Sequence, residues 1–112
     1  MKVIDTSSPF GSSARTRVLL ALHLLTESYA RELARLLEIS LSSVQKALRS
    51  LDRDGLVAGR AAGRTRLYRV NPRNHARREL ERYLERLLEP EATLRSRAAR
   101  LRRRPRRAGK PL

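Results

Sequence analysis

Apolar residues recur along this chain with two different periods. Val18, Leu19, Leu22 and Leu25 fall at helical spacing and predict a helix over about residues 14–27, because side chains three and four apart share one face. Ser12 or Ser13 supplies a hydroxyl to cap its first turn. Tyr29 suits a very short strand, and Leu33, Leu36 and Leu37 then resume the helical period in a second helix. A polar break over residues 38–40 precedes a third helix, with Ser40 as its cap and Val44, Ala47, Leu48 and Leu51 as its inner face. Asp54-Gly55 stops it, since glycine tolerates the left-handed backbone that ends helices.

From Leu56 to Val70 the pattern changes to two short strands around Ala61-Ala62-Gly63-Arg64, with Tyr68 and Val70 on one face and Arg69 on the other, which predicts a β-hairpin. Asn71-Pro72 ends it, because proline lacks the amide a central strand needs and suits the first turn of a helix. A fourth helix carries Leu80, Tyr83, Leu84, Leu87 and Leu88 on one face. Its outer face mixes Arg and Glu, with like charges four apart at Glu81 and Glu85 and at Arg78 and Arg82. Pro90 interrupts this helix, and beyond it Leu94, Ala98 and Leu101 keep a weak rhythm in a segment that is mostly Arg. Three regions follow: a flexible N-terminal arm at residues 1–9, a folded domain at 10–89, and an Arg-rich tail at 90–112 that is partly helical or disordered.

Helix, helix, turn, helix, basic hairpin, helix is the order of a winged helix-turn-helix. The expected fold is mainly α with a small β-hairpin: a three-helix core, a two-stranded wing and a C-terminal dimerisation helix. A chain of 112 residues has room for one such core. With one Phe and no Trp, Leu and Val must fill it. Ala34, Glu38 and Val44 fit the helix-turn-helix signature of a small residue, a turn residue and an aliphatic residue, flanked by Leu33, Leu37, Ile39 and Leu48. Glu38 stands where this turn usually has glycine. It must accept a left-handed backbone, at a cost of about 1 kcal/mol, or make a different turn.

Charge narrows the function. The net charge is +15, and 23 of the 26 basic residues are Arg. Residues 90–112 hold nine basic residues and one acidic, a net of +8 that leaves +7 for the rest. A field of this sign attracts polyanions, and release of counterions from a phosphate backbone favours their binding. Cysteine is absent, which excludes disulfides and thiolate metal sites. The longest apolar stretch, residues 18–25, is interrupted by His23 and falls far short of the roughly 20 residues that span a bilayer. The N-terminal residues lack the apolar core of a signal peptide, so the expectation is a soluble, cytoplasmic chain with no membrane partner. No GxxxxGK[ST] loop is present and the histidines are His23 and His75. His75 and Glu79, four apart, are the nearest approach to a ligand pair. Neither catalysis, nor a cofactor, nor a metal is expected.

More widely, Phe10-Gly11-Ser12, Arg15, Arg17, Arg31-Glu32-Leu33-Ala34, Ser43-Val44-Gln45, Leu48, Leu51, Asp54-Gly55-Leu56-Val57 and Gly63-Arg64 to Leu67-Tyr68 resemble ArsR-type winged-helix regulators. They resemble still more the small winged-helix modules found alone or joined to nucleotidyltransferase domains, although no nucleotidyltransferase segment is present. The resemblance spans about residues 10–75. It implies that the third helix enters a DNA major groove while the wing lies along the backbone or minor groove, a geometry in which one helix fills the groove. The candidate contacts on that helix are Ser40, Ser42, Ser43, Gln45, Lys46 and Arg49, with Gln45 suited to adenine, Arg49 to guanine, and Ser42 and Ser43 to phosphate. Arg60, Arg64 and Arg66 surround Gly63 in the wing and suit phosphate or a narrow minor groove. Val18 and Leu22 of the first helix with Leu80, Tyr83, Leu84 and Leu87 of the fourth are the candidate homodimer surface. The expected function is that of a sequence-specific transcriptional regulator, a repressor that occupies an operator in double-stranded DNA, with the tail adding affinity but no sequence information. The alternatives are a non-specific architectural DNA- or RNA-binding protein, or an interaction module partnering a nucleotidyltransferase.

Overall fold

The computed structural model describes residues 8–103, so most of the expected arm and the last nine residues of the tail lie outside the described residues. The elements run α1 Ser13–Leu25, β1 Ser28–Tyr29, α2 Ala30–Leu37, α3 Leu41–Arg53, β2 Val57–Ala62, β3 Thr65–Val70, α4 Arg77–Leu88 and α5 Ala92–Arg103. The fold is a winged helix: five helices and a small antiparallel sheet of strand order β1-β3-β2.

Helix α1 is the centre of the molecule. Val18, Leu19, Leu20, Ala21, Leu22 and Leu25 are all buried, so it is apolar on nearly every side, as a helix enclosed by others must be. It touches α2, α3, α4, α5 and β3. Its start is capped by Ser12, whose hydroxyl accepts the Arg15 amide at 3.1 Å. It ends at Leu25, two residues earlier than the periodicity suggests, and is followed by Thr26, which has φ 72° and ψ −49° while its amide still donates to the Leu22 carbonyl.

The helix-turn-helix forms as its pattern requires, and Glu38 takes the left-handed conformation (φ 58°, ψ 45°). The amides of Glu38 and Ile39 both donate to the Ala34 carbonyl, closing the end of α2. In the hairpin, Ala62 pairs with Thr65, leaving Gly63 and Arg64 as a two-residue turn. Gly63 has φ 66° at the position where a type II′ turn requires a positive angle. Strand β1 adds a third partner, Ser28 against Tyr68 and Tyr29 against Leu67.

Helix α4 begins at Arg77, later than Pro72 suggests. The side chains of Asn71 and Asn74 accept the amides of Arg73 and Ala76 and fold the intervening residues into turns. The same two side chains donate to the Gly55 carbonyl at 3.1 and 2.9 Å, tying the exit of the wing to the end of α3.

The folded core does not stop at residue 89. Leu94 and Ala98 of α5 are 4% and 3% exposed and pack in the same cluster as Leu22, Leu84 and Leu88. After the break at Pro90, Arg95 donates to the carbonyls of Leu88 and Glu89, satisfying the open end of α4 and folding α5 back across α1 and α2. This placement corrects the expected dimer surface. Val18, Leu22 and Leu84 are fully buried within a single chain, because α4 and α5 cover α1, and they have no surface to offer a second copy. Leu80 and Leu87 are half-buried against the core, while Tyr83 is 45% exposed and meets Phe10 ring to ring at 5.8 Å.

Candidate nucleic-acid interface

Helix α3 divides cleanly into two faces. Val44, Ala47, Leu48 and Leu51 are buried, whereas Ser42, Ser43, Gln45, Lys46 and Arg49 are exposed. The outer stripe exists because the inner one is anchored on α1 and α2, which fixes the rotation of the helix about its axis. At its start, the Ser40 hydroxyl accepts the Ser43 amide at 3.1 Å and donates to the Ser43 hydroxyl at 2.8 Å. Ser40 therefore serves first as the cap of α3. Ser42 lies within 3.3 Å of the Ser40 oxygen, so three hydroxyls cluster at one exposed helix end.

Gln45 and Arg49 share an open cleft of about 470 Å³ with Arg64 and Arg66 of the wing. Tyr29 of β1 and Arg31 at the start of α2, with Thr65 and Tyr68 of β3, are among the other residues that line it. Four of the sequence-derived candidates are thus brought together from segments far apart in the chain. Arg31 had no place among those candidates. The signal for it was an Arg at the first turn of α2, where periodicity says only that it faces outward; what aims it at α3 is the packing of α2 across the core.

The wing arginines differ in what holds them. Arg66 donates to the Gly59 carbonyl at 3.2 Å and lies over the Tyr68 ring, 5.9 Å from its centroid. Gly59 makes room for this crossing: a Cβ there would stand 2.8 Å from the Tyr68 ring and 2.9 Å from Arg66 Nε. Arg64, Arg49, Lys46 and Arg31 make no hydrogen bond or ion pair among the described residues. Arg60 does not face the cleft. Its guanidinium forks onto the Glu27 carboxylate, Nε at 3.1 Å and Nη2 at 3.2 Å. Lys46 is exposed on α3 but lies outside the cleft lining.

The remaining candidate groups hold the domain together. Arg15 donates to the Phe10 carbonyl and to Ser50 and pairs with Asp54 at 2.8 Å, fastening α1 to the end of α3. His23 meets Glu85 at 3.2 Å, joining α1 to α4. His75 and Glu79 line a shallow open depression beside Pro72 and Arg78. Among the described residues, no group of three or more metal-ligating side chains converges, and no helix is long and apolar enough to cross a membrane.

Residues 12–74, more than half of the chain, match the family described as sugar-specific transcriptional regulator TrmB. The match runs from the cap of α1 to the far side of the wing and includes every residue lining the cleft. Among solved structures, a double mutant of ZitR from Lactococcus lactis in its apo form superposes with a TM-score of 0.54 at 24% identity, over 74% of this chain and 65% of that one. That likeness is one of fold, and this chain spans just under two thirds of the ZitR chain. No curated protein matches the chain.

Proposed function

The chain belongs to the TrmB family of transcriptional regulators, and on that premise we propose that it is a sequence-specific DNA-binding regulator that represses by occupying an operator. The observation that carries this reading is the cleft in which Gln45 and Arg49 of α3 stand beside Arg64 and Arg66 of the wing. A major groove admits one α-helix, and the side chains that distinguish base edges best are an amide, paired with adenine, and a guanidinium, paired with guanine. Both occur on the exposed stripe of α3. Arg31 and Arg64, without a hydrogen bond or ion pair among the described residues, serve as phosphate ligands at the two flanks, and the Ser42 and Ser43 hydroxyls do so at the start of α3.

The family match covers the helix-turn-helix and the wing, so recognition of DNA is what it supports for this chain. The ArsR-type resemblance of the same residues points the same way. A second copy would dock on the outer face of α4, where Leu80, Tyr83 and Leu87 lie with Phe10, and would present two reading helices to a two-fold operator.

Selection of bound fragments from random duplex DNA tests the proposal. The expected result is enrichment of one motif, with Gln45→Ala altering its sequence and Arg49→Ala weakening binding at one position by about 1–3 kcal/mol. Failure to enrich any motif, with binding retained, would establish the rival reading of a non-specific architectural protein, which the net charge of +15 also suits.

A further inference from the structure

Arg102, near the end of α5, makes more side-chain hydrogen bonds than any other wing or α5 residue described. It donates to both oxygens of Glu32 at 3.2 and 3.3 Å, to the Glu27 carbonyl at 2.6 Å and to the Leu25 carbonyl at 3.4 Å. Glu32 is 8% exposed and also accepts the Ser28 hydroxyl at 2.7 Å. The two carbonyls flank Thr26, a β-branched residue with φ 72°, a backbone that such residues avoid unless their surroundings impose it. Arg102 thus grips both sides of the one turn that sets where Glu27 stands. The Glu27 carboxylate in turn holds Arg60, which is the only wing arginine tied to the body of the domain among the described residues.

We propose that Arg102 is a positioning residue of the nucleic-acid interface: acting through Glu27, it holds Arg60 and with it the attitude of the wing. The inference rests on the DNA-binding reading for its consequence, but the relay itself is a property of the free protein. In that state Glu27 occupies Arg60 as a phosphate would, with two acceptor oxygens on one guanidinium fork. When Arg102 releases the turn, the carboxylate loses its fixed place, the wing moves more freely, and Arg60 becomes available to phosphate. The Arg60 and Glu27 side chains are 59% and 31% exposed, so the pair is weak and its effect on binding is modest, about two- to fivefold.

The chain has no cysteine, which allows spin labels to be placed at will. Labels on Ser13→Cys and Ala61→Cys, both exposed and outside the cleft, report the wing against α1, and a Ser13→Cys with Asp52→Cys pair reports the core. Arg102→Lys keeps the charge but loses the planar fork; Glu27→Gln breaks the hold on Arg60 and leaves the Glu27 carbonyl in place. Both are expected to broaden the wing distance without changing the core distance, and the double variant is expected to add nothing to either. Binding to random duplex is expected to tighten two- to fivefold at low salt, and the salt slope to steepen by about 0.9 as one more phosphate is contacted. Glu79→Gln, an equal charge change at an exposed site on α4, controls for Glu27→Gln. Arg102→Lys that lowers stability yet leaves the wing distance and salt slope unchanged would overturn the relay, as would additive broadening in the double variant. Should Arg102→Lys fail to fold, an unchanged wing in Glu27→Gln refutes the relay alone. Broadening in a protein that binds no DNA would leave the relay standing and remove the DNA reading.

Discussion

Glu38 shows how one residue can carry a local cost that the fold tolerates. Its left-handed backbone opposes it, and its ion pair with Arg97 of α5 favours it. Glu38 is 68% and Arg97 33% exposed, so the pair contributes at most about 1 kcal/mol, close to the backbone cost. Glu38→Gly is therefore expected to leave the fold intact and to stabilise it by up to about 1 kcal/mol, read from the urea midpoint. A loss of more than that would mean that Arg97 holds the turn more strongly than its exposure suggests. The strain at this position was visible in the sequence, because a helix-turn-helix leaves few conformations to its turn residue. The partner was not, since 59 residues separate the two.

At the scale of elements, α5 changes the account most. Its heptad rhythm of Leu94, Ala98 and Leu101 was legible, yet its many Arg residues spoke for a solvated tail. Those residues divide by direction: Arg95 closes α4, Arg97 meets Glu38 and Arg102 meets Glu32, while Arg100 and Arg103 are exposed. An Arg can cover apolar surface with its stem and still place its head group on a carbonyl or carboxylate, and composition cannot tell that use from solvation. Truncation after residue 91 removes Leu94 and Ala98 from the core and uncovers the faces of α1 and α2 on which α5 lies. Loss of one buried Leu side chain alone costs about 2–5 kcal/mol, a large share of the stability of a domain this small. The shortened chain is expected to melt far below the full one, and truncation after residue 103 to melt with it. Equal melting of the two shortened forms would show that α5 contributes nothing to the core.

For the whole molecule the question is where the charge acts. Of the net +15, part is held in internal pairs and part faces the cleft between α3 and the wing. Residues 104–112 add Arg104, Arg106, Arg107 and Lys110 with no acidic residue. Their removal is expected to weaken binding to every duplex sequence alike and to flatten the salt slope by up to about 0.9 for each cation that neutralises a phosphate. The enriched motif should stay the same. A truncated chain with an unchanged slope would place all phosphate contacts within residues 1–103.

The order of helices, the cap at Ser40, the turn at Gly63 and the outward stripe of α3 are all legible in the amino-acid order alone, because each depends on neighbours within a few residues and on one repeating period. Packing between elements settled the rest: that α1 is enclosed on nearly every side, that Arg31 joins Gln45 and Arg49 at the cleft, that Arg60 turns to Glu27, and that α5 belongs to the core. Those outcomes depend on which elements cover one another, and a period defines a face without naming what lies against it.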